Sequence, residues 1–585
     1  MIAGIVLVVF LMVVGASSAS AVDFNPVPVN QRQLSWNEWR WPDIPQEPGL
    51  YAQSVYQGID FLGGVDYIAS EPGISVWNPG ATTGIVCGAD LACISQDGRN
   101  LSVTGMLPMC SDSVHGMCVD GLKYSIGSGD FRDANLLFTA DAAATPEDLA
   151  AHTDPNYPVV SPQPVQSWGE DFIKGMPASA TGSLVFDLPG APNAAGTTTY
   201  ALTNQFIYVG TTTGKTVNGR VLNFEVNLRP VYVDGSKSGR VMLVQDKING
   251  GYSHFYTGYY GDKDVVAFSN KDSIGFAAGF GTDITVRLSL RLSTTLGGWL
   301  QGRAEQPNVT ITPMAGDQQN VVLEAKPSVV PITGTEFDVY ATQNVRYANY
   351  FDPSGYQQFK GNNFKGAVIG RMWSPSDGVD MFNAVSPLLG TKAKGQASLW
   401  NFSNLQSTST CMSASGQLLG LLTTNAMTYQ SSLPTYDAGL IDYKVAGLHY
   451  DANGQVFKGS YKFIMRDSVA RCLYGFKGTG PISGTVSVTS SDGQENVAYT
   501  NVNDKDGWLS LTAEGFTFSN PTISAKLTQQ PDPAVTPSPT PSPSGSGGSG
   551  GSSASYKKTI TCVKGKVVKK VSGVSPKCPA GYKKK

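Results

Sequence analysis

Residues 531–555 constrain this chain more than any other stretch, because nothing in them can enter a hydrophobic core. The run opens with alternating prolines, TPSPTPSPS from Thr536, which favour extended polyproline II, and closes with GSGGSGGSSAS, which behaves as flexible coil. Roughly 13 residues at about 3.1 Å each give the stiff half ~40 Å, and about 12 residues of coil add on the order of 20 Å. The sequence therefore divides into a long body and a short tail, 556–585, held at a distance from it. Such a spacing suits a protein that crosses a cell wall.

The body is too long for one core, and with 66 Gly, 35 Pro and 15% charged side chains in the chain it favours turns and strands over helices. The expected fold is all-β: several β-sandwich, jelly-roll or Ig-like domains, a disordered linker and a small disulfide-stapled C-terminal hairpin. Two segments carry the period-two signature of a sheet with one wet face. In the first, Leu222, Phe224, Val226 and Leu228 alternate with Asn223, Glu225, Asn227 and Arg229. In the second, Ile284, Val286, Leu288, Leu290 and Leu292 alternate with Thr285, Arg287, Ser289 and Arg291, a cationic face that is a candidate surface for an acidic ligand.

Patterning sets these bounds: a signal peptide at 1–21, a Cys/Trp-rich region at 22–130, a β-sandwich region at 131–325, a second β region at 326–447 and an Ig-like sandwich at 448–530. In the last, YKFIMRD, RCLYGF, GTVSVTS, DGWLSL and TISAKLT read as short strands. The linker at 531–555 and a basic Cys-pair tail at 556–585 complete the chain. Thr145-Pro146-Glu147-Asp148 has the hydroxyl, proline and acids of a short helix start.

The compartment follows from the ends and the cysteines. Ile2 to Val14 is an apolar run of signal-peptide length, followed by Ala19-Ser20-Ala21, which fits a signal peptidase site. No Lys or Arg precedes it, so an uncleaved anchor is the alternative. Eight cysteines fall into even groups: Cys87, Cys93, Cys110 and Cys118; Cys411 and Cys472; Cys562 and Cys578. In an exported chain these read as disulfides, the first group allowing three pairings and Cys411 tying region 326–447 to region 448–530 through Cys472. A zinc site from the first group with His115 is disfavoured, because its five, sixteen and seven intervening residues miss the usual knuckle spacing. No metal and no cofactor is expected.

Catalytic motifs are absent: no nucleophile elbow, no HExxH and no phosphate-cradling glycine loop. His115, His152, His254 and His449 are widely separated, and His449 precedes an Asx-Gly turn. The acidic run Asn503-Asp504-Lys505-Asp506-Gly507 reads as a hairpin turn rather than a calcium loop, since a lysine interrupts it and the distal glutamate is missing. Leu433-Pro434-Thr435 begins like a sortase signal but lacks its glycine and any apolar stop. Trp36, Trp39 and Trp41, with Glu38, Asp43 and Glu47 nearby, support the alternative of a carbohydrate-active enzyme or carbohydrate-binding protein, indoles stacking on sugar rings and two carboxyls flanking the bond.

Charge gives the strongest signal. The tail holds ten lysines, Lys557, Lys558, Lys564, Lys566, Lys569, Lys570, Lys577, Lys583, Lys584 and Lys585, and no acid. The rest of the chain then has 32 basic against 45 acidic residues, a formal −13. A concentrated cation of this kind is a candidate envelope-binding element for anionic cell-wall polymer or lipid headgroups. Nucleic acid is not expected, because the tail has no Arg and its only aromatics are Tyr556 and Tyr582.

Three pieces, AGLHYDANGQVFKGSYKFIMRDSVARCLYGF, DGWLSLTAEGFTFSNPTISAKLT and the tail ITCVKGKVVKKVSGVSPKCPAGYKKK behind its linker, resemble the C-terminal modules of exported actinobacterial cell-surface proteins, and GGWLQGR around Trp299 is similar to a segment of the same group. The likeness covers about 140 C-terminal residues. It implies a place at the cell surface, in a group without an established activity. The sequence thus points to an exported, adhesin-like binding or structural protein with glycans or other surface proteins as further partners, rather than to an enzyme.

Overall fold

The computed structural model describes residues 98–140, 167–234, 258–338, 379–530 and 558–584 with gaps inside several of these stretches, and shorter pieces between 51 and 94 and at 242–253. The fold is all-β, built of several sheets. Two compact units divide it, Met1–Asp532 and Pro533–Lys585.

One layer of the body is a five-stranded antiparallel sheet in the order Glu305–Met314, Gln318–Lys326, Ile284–Ser293, Cys118–Ile126, Arg132–Asp133. Its central strand buries Ile284, Val286, Leu288, Leu290 and Leu292, each at most 1% exposed, and its neighbour buries Val321, Leu323 and Ala325. Each of these Val, Leu and Ile side chains stabilises by roughly 1.5–3 kcal/mol on leaving water.

The facing layer is a branched run of strands organised on one long hairpin, Thr199–Thr213 with Thr216–Asp234. The first arm also pairs with Leu184–Asp187 and then Asn100–Met106; the second pairs with Asn401–Leu405 and then Ser273–Ala277. From Asn401–Leu405 the run continues through Gly298–Arg303, Leu418–Thr424, Lys458–Arg466, Trp508–Thr517 and Tyr499–Lys505. Sheets therefore cross the bounds at 130, 325 and 447. Cys118–Ile126 pairs with Ile284–Ser293, and Gly298–Arg303 runs parallel to Leu418–Thr424. A second layer of strands, Thr428–Tyr429, Leu440–Ala446, Thr522–Gln529 and Ile482–Thr489, contributes to the far end.

Two cores result. Phe186, Tyr200, Phe206, Phe224, Val226 and Leu228 share one with the five-stranded sheet. Phe463, Met465, Leu509 and Leu511 share the other with Val445, Val486, Val488, Ile523 and Ala525. Gly298–Arg303 and Leu418–Thr424 lie between and are buried throughout. Leu300 and Leu421 join the first core, whereas Trp299 and Leu422 join the second. Strands covered on both faces are where parallel pairing belongs, and they lose the alternation that marks half-wet strands.

Two local expectations fail for identifiable reasons. The register slips between Val221 and Asn223, a bulge that leaves Leu222 41% exposed instead of sharing the buried face of Phe224. Asn404 fills the bulge: its Oδ1 accepts the Phe224 N–H at 2.5 Å and its Nδ2 donates to the Leu222 carbonyl at 3.3 Å. The face expected to be wet is dry, since Glu225, Asn227 and Arg229 are 4–6% exposed. RCLYGF, in turn, is no strand. It ends the helix Asp467–Tyr474, in which Arg471 pairs with Asp467 at 3.0 Å one turn back and Gly475 (φ 63°) closes the C-terminus in the left-handed conformation.

Candidate envelope-binding site

The tail is built from a hairpin. Lys558–Lys564 pairs with Val567–Gly573, with Lys564 opposite Val567, and its other edge takes Lys583–Lys584. Cys562 sits in the middle strand with Lys569 opposite on one side and Lys584 on the other. It is fully buried and bonded to Cys578, Cα atoms 5.6 Å apart. A unit this small has little core, so the bridge matters: closing 16 residues contributes ~3 kcal/mol on the chain-entropy description. Lys577, Lys583 and Lys584 are exposed, while Lys557, Lys566 and Lys585 lie outside the described residues. No acid in the tail offsets the lysines.

The remaining candidates resolve into structural roles. Cys411 and Cys472 are bonded with Cα atoms 5.5 Å apart, and Cys110 and Cys118 close a short loop. That loop holds a carboxylate: the N–H groups of His115 (2.6 Å) and Gly116 both donate to Glu170 Oε1, with His115 Nδ1 3.6 Å from Oε2. Cys87 and the side chain of Cys93 fall outside the described residues, among which no cysteine is free. So do Trp36, Trp39 and Trp41 with Glu38, Asp43 and Glu47, and the helix start at Thr145.

The cationic face of Ile284–Ser293 is neutralised. Arg287 meets its cross-strand partner Glu324 at 2.6 Å and covers the Phe131 ring at 3.6 Å; Arg291 meets Asp120 at 2.6 Å. In the acidic run, Asp506 (φ 53°) and Gly507 (φ 79°) form a two-residue hairpin turn, and Asp504 Oδ2 accepts the Ile482 N–H at 2.8 Å. Its carboxylate is thereby engaged. No His/Cys/Asp/Glu cluster fit for a metal occurs among the described residues, and no described helix is long and apolar enough to cross a membrane.

What the sequence hid is a buried polar layer. Direct cross-strand partners share a face of a sheet, and two rows of them run over four strands: Gln205, Glu225, Ser403, Gln301 and, beside it, Thr203, Asn227, Asn401, Arg303. Arg303 is fully buried in the second. Its guanidinium donates to the carbonyls of Thr424 (3.2 Å), Ala426 and Met427 (3.4 Å) and lies 4.3 Å from the Tyr429 ring centroid. It thus fastens the 424–429 segment to the central strand, a fixing role rather than a reactive one. At the edge of the same region, burial first and then the Glu514 carboxylate raise the Glu305 pKa, while Lys326 lowers it; burial lowers that of Lys462.

No protein-family model, characterised protein or solved structure matches this chain.

Proposed function

We propose that this is an exported cell-surface protein whose acidic all-β body acts by binding or as structure, and whose tail holds it to anionic groups of the envelope, wall-polymer phosphates or acidic lipid headgroups. One observation carries the reading: the tail belongs to a compact unit of its own, disulfide-stapled, with ten lysines and no acid, behind a spacer with no core. The apolar N-terminal run and the likeness to exported surface proteins support the location, as do disulfides, which persist in oxidising compartments. On the five-stranded sheet of the body, Arg287 and Arg291 are paired with acids, which lowers their competition with the tail for an anion.

Deleting 556–585 while keeping the linker tests it. The body should pass from the envelope into the medium, and retention of the intact chain should weaken as salt rises, since exposed charges are screened over about 8 Å at physiological ionic strength. Full retention after deletion would overturn the reading.

A further inference from the structure

One strand at the rim of the second core has an edge without the usual protection. Tyr499–Lys505 pairs with Trp508–Thr517 and, among the described residues, with no other strand. A bare edge is a template for another strand, and proteins blunt it with proline, register breaks or shortness. The five-stranded sheet does so at both margins: Glu305–Met314 carries Pro307, Pro313 and a break between Glu305 and Asn308, and Arg132–Asp133 has two residues. Tyr499–Lys505 has seven residues, no proline and an unbroken register. We propose that this edge is a self-association site, at which a second copy of the chain adds its own Tyr499–Lys505 antiparallel and makes the sheet continuous through both molecules, with no part played by the tail.

Which groups are free follows from the turn. Lys505 and Trp508 flank the two-residue turn Asp506-Gly507, so they form a hydrogen-bonded pair, and such pairs recur at every second residue. Lys505, Asn503, Asn501 and Tyr499 therefore direct their main-chain groups to Trp508–Thr517, while Thr500, Val502 and Asp504 direct theirs outward. These three are symmetric about Val502. On a two-fold axis at Val502, Thr500 meets the partner's Asp504 and Val502 meets the partner's Val502, every outward group facing another, with about six backbone hydrogen bonds.

Side chains favour a second copy over an unrelated strand. The same axis sets Lys505, 75% exposed, against the partner's Tyr499, 64% exposed in each chain, an ammonium beside an aromatic ring, and sets Asn501 against the partner's Asn503. On the other face Val502, half-buried against the second core, gains the partner's Val502, and the Thr500 hydroxyl stands against the partner's Asp504 carboxylate. Like charges are never opposed: Asp504 and Lys505 lie together at one end of the strand, and antiparallel pairing sends the two copies' charges to opposite ends. A seven-residue strand pair is a small interface, so the expected dimer is a reversible one.

The test is sedimentation equilibrium of the full chain, purified oxidised, over a concentration series in high salt, which screens attraction between the acidic body and the basic tail. A monomer–dimer equilibrium is expected. Hydrogen exchange at the Thr500, Val502 and Asp504 amides should slow as the dimer forms, whereas the Asn501 and Asn503 amides should be protected at every concentration. Val502→Pro removes an outward N–H that the monomer does not use and should weaken the dimer at least about tenfold. Tyr499→Lys, at a site open to solvent, opposes two lysines and should weaken it several-fold; Tyr499→Lys/Lys505→Glu makes an ion pair of the same contact and should restore it. A dimer whose outward amides exchange as fast as in the monomer, a Tyr499→Lys chain that dimerises like wild type, or a double variant no better than Tyr499→Lys would overturn the proposal. So would a wild-type chain that stays monomeric throughout, which would leave the edge to a strand of another protein.

Discussion

The five-stranded sheet and the two strands at the centre of the body, Gly298–Arg303 and Leu418–Thr424, use opposite means to hold position. In the sheet, Gln318–Lys326 alternates buried and half-buried along its whole length, and its outward charges pair across strands in reach of water. In the centre every residue is buried, neighbours press on backbone, and a charge is satisfied by carbonyls rather than by acids. A sheet with one wet face can yield on that face. Strands covered on both sides have no direction in which to relax, so the cost of a substitution should rise steeply from one region to the other.

The largest effect is expected at Gly302. A Cβ there would come within 1.9 Å of the Asn401 carbonyl oxygen, an atom of the paired strand's backbone. Gly302→Val must therefore push two hydrogen-bonded strands apart in a layer with cores on both sides, and should cost more than about 4 kcal/mol, with loss of folded protein on expression. Near-normal urea unfolding of this variant would end the claim that the centre cannot relax.

Next comes the covalent tie across the second core. Cys411→Ser/Cys472→Ser opens a loop of 61 residues and should lower stability by ~4 kcal/mol on the chain-entropy description. Urea unfolding with and without reductant measures it; a wild-type chain indifferent to reductant would show that packing alone holds the helix Asp467–Tyr474 in place.

Arg303→Met ranks third. It keeps much of the volume but strips the guanidinium from the carbonyls of Thr424, Ala426 and Met427, and an abandoned buried acceptor costs about 1–3 kcal/mol. A loss near 2–4 kcal/mol, with faster hydrogen exchange in 424–429, is expected. Were the variant more stable, the arginine would be a fixture of specificity that packing outperforms, as happens for some buried ion networks.

These contrasts explain which parts of the fold were legible. Ile284 to Leu292 announced its strand because one face is wet and the period of two survives. GWLQGR and LLGLLTT gave no such sign, because burial on both faces erases the period and leaves helix and strand alike. Asn223 to Arg229 misled differently: its alternation was real, but the polar side chains are covered by the fold, and the bulge at Val221/Asn223 depends on Asn404, about 180 residues away. The helix Asp467–Tyr474 did carry local signals, the Asp467 and Arg471 spacing and Gly475, outweighed in the reading by the β-prone residues around them. For the tail, charge and the Cys pair were plain in sequence; the third strand, Lys583–Lys584, was not, since two lysines at a chain end carry no strand pattern.

On the wet sheet the expected effect is small. Arg291→Ala breaks an ion pair with Asp120 whose side chains are 22% and 36% exposed, and such pairs contribute about 0.2–1 kcal/mol. Its unfolding midpoint should barely move, and less in high salt. A loss comparable to that of Arg303→Met would erase the distinction between the two regions.

The smallest effect should appear where the two regions meet, at Glu305. Its strand pairs with Gln318–Lys326 and places it opposite Lys326, yet burial and the Glu514 carboxylate raise its pKa above the ordinary 4.5 despite that lysine. A carboxyl whose folded pKa is raised favours folding most when protonated in both states, below 4.5, and that contribution fades as pH rises through the folded value, because the unfolded chain then ionises more readily. Glu305→Gln imitates the protonated form. It should raise Tm slightly at pH 7, where wild type carries the disfavoured charge, and leave Tm almost unchanged at pH 4. Glu514→Gln, by removing the like charge, should shrink the benefit of Glu305→Gln at pH 7 in a double-mutant cycle. If Glu305→Gln instead destabilised at pH 7, the attraction of Lys326 would outweigh burial, and Glu305 would belong with the paired charges of the wet sheet rather than with the dry centre.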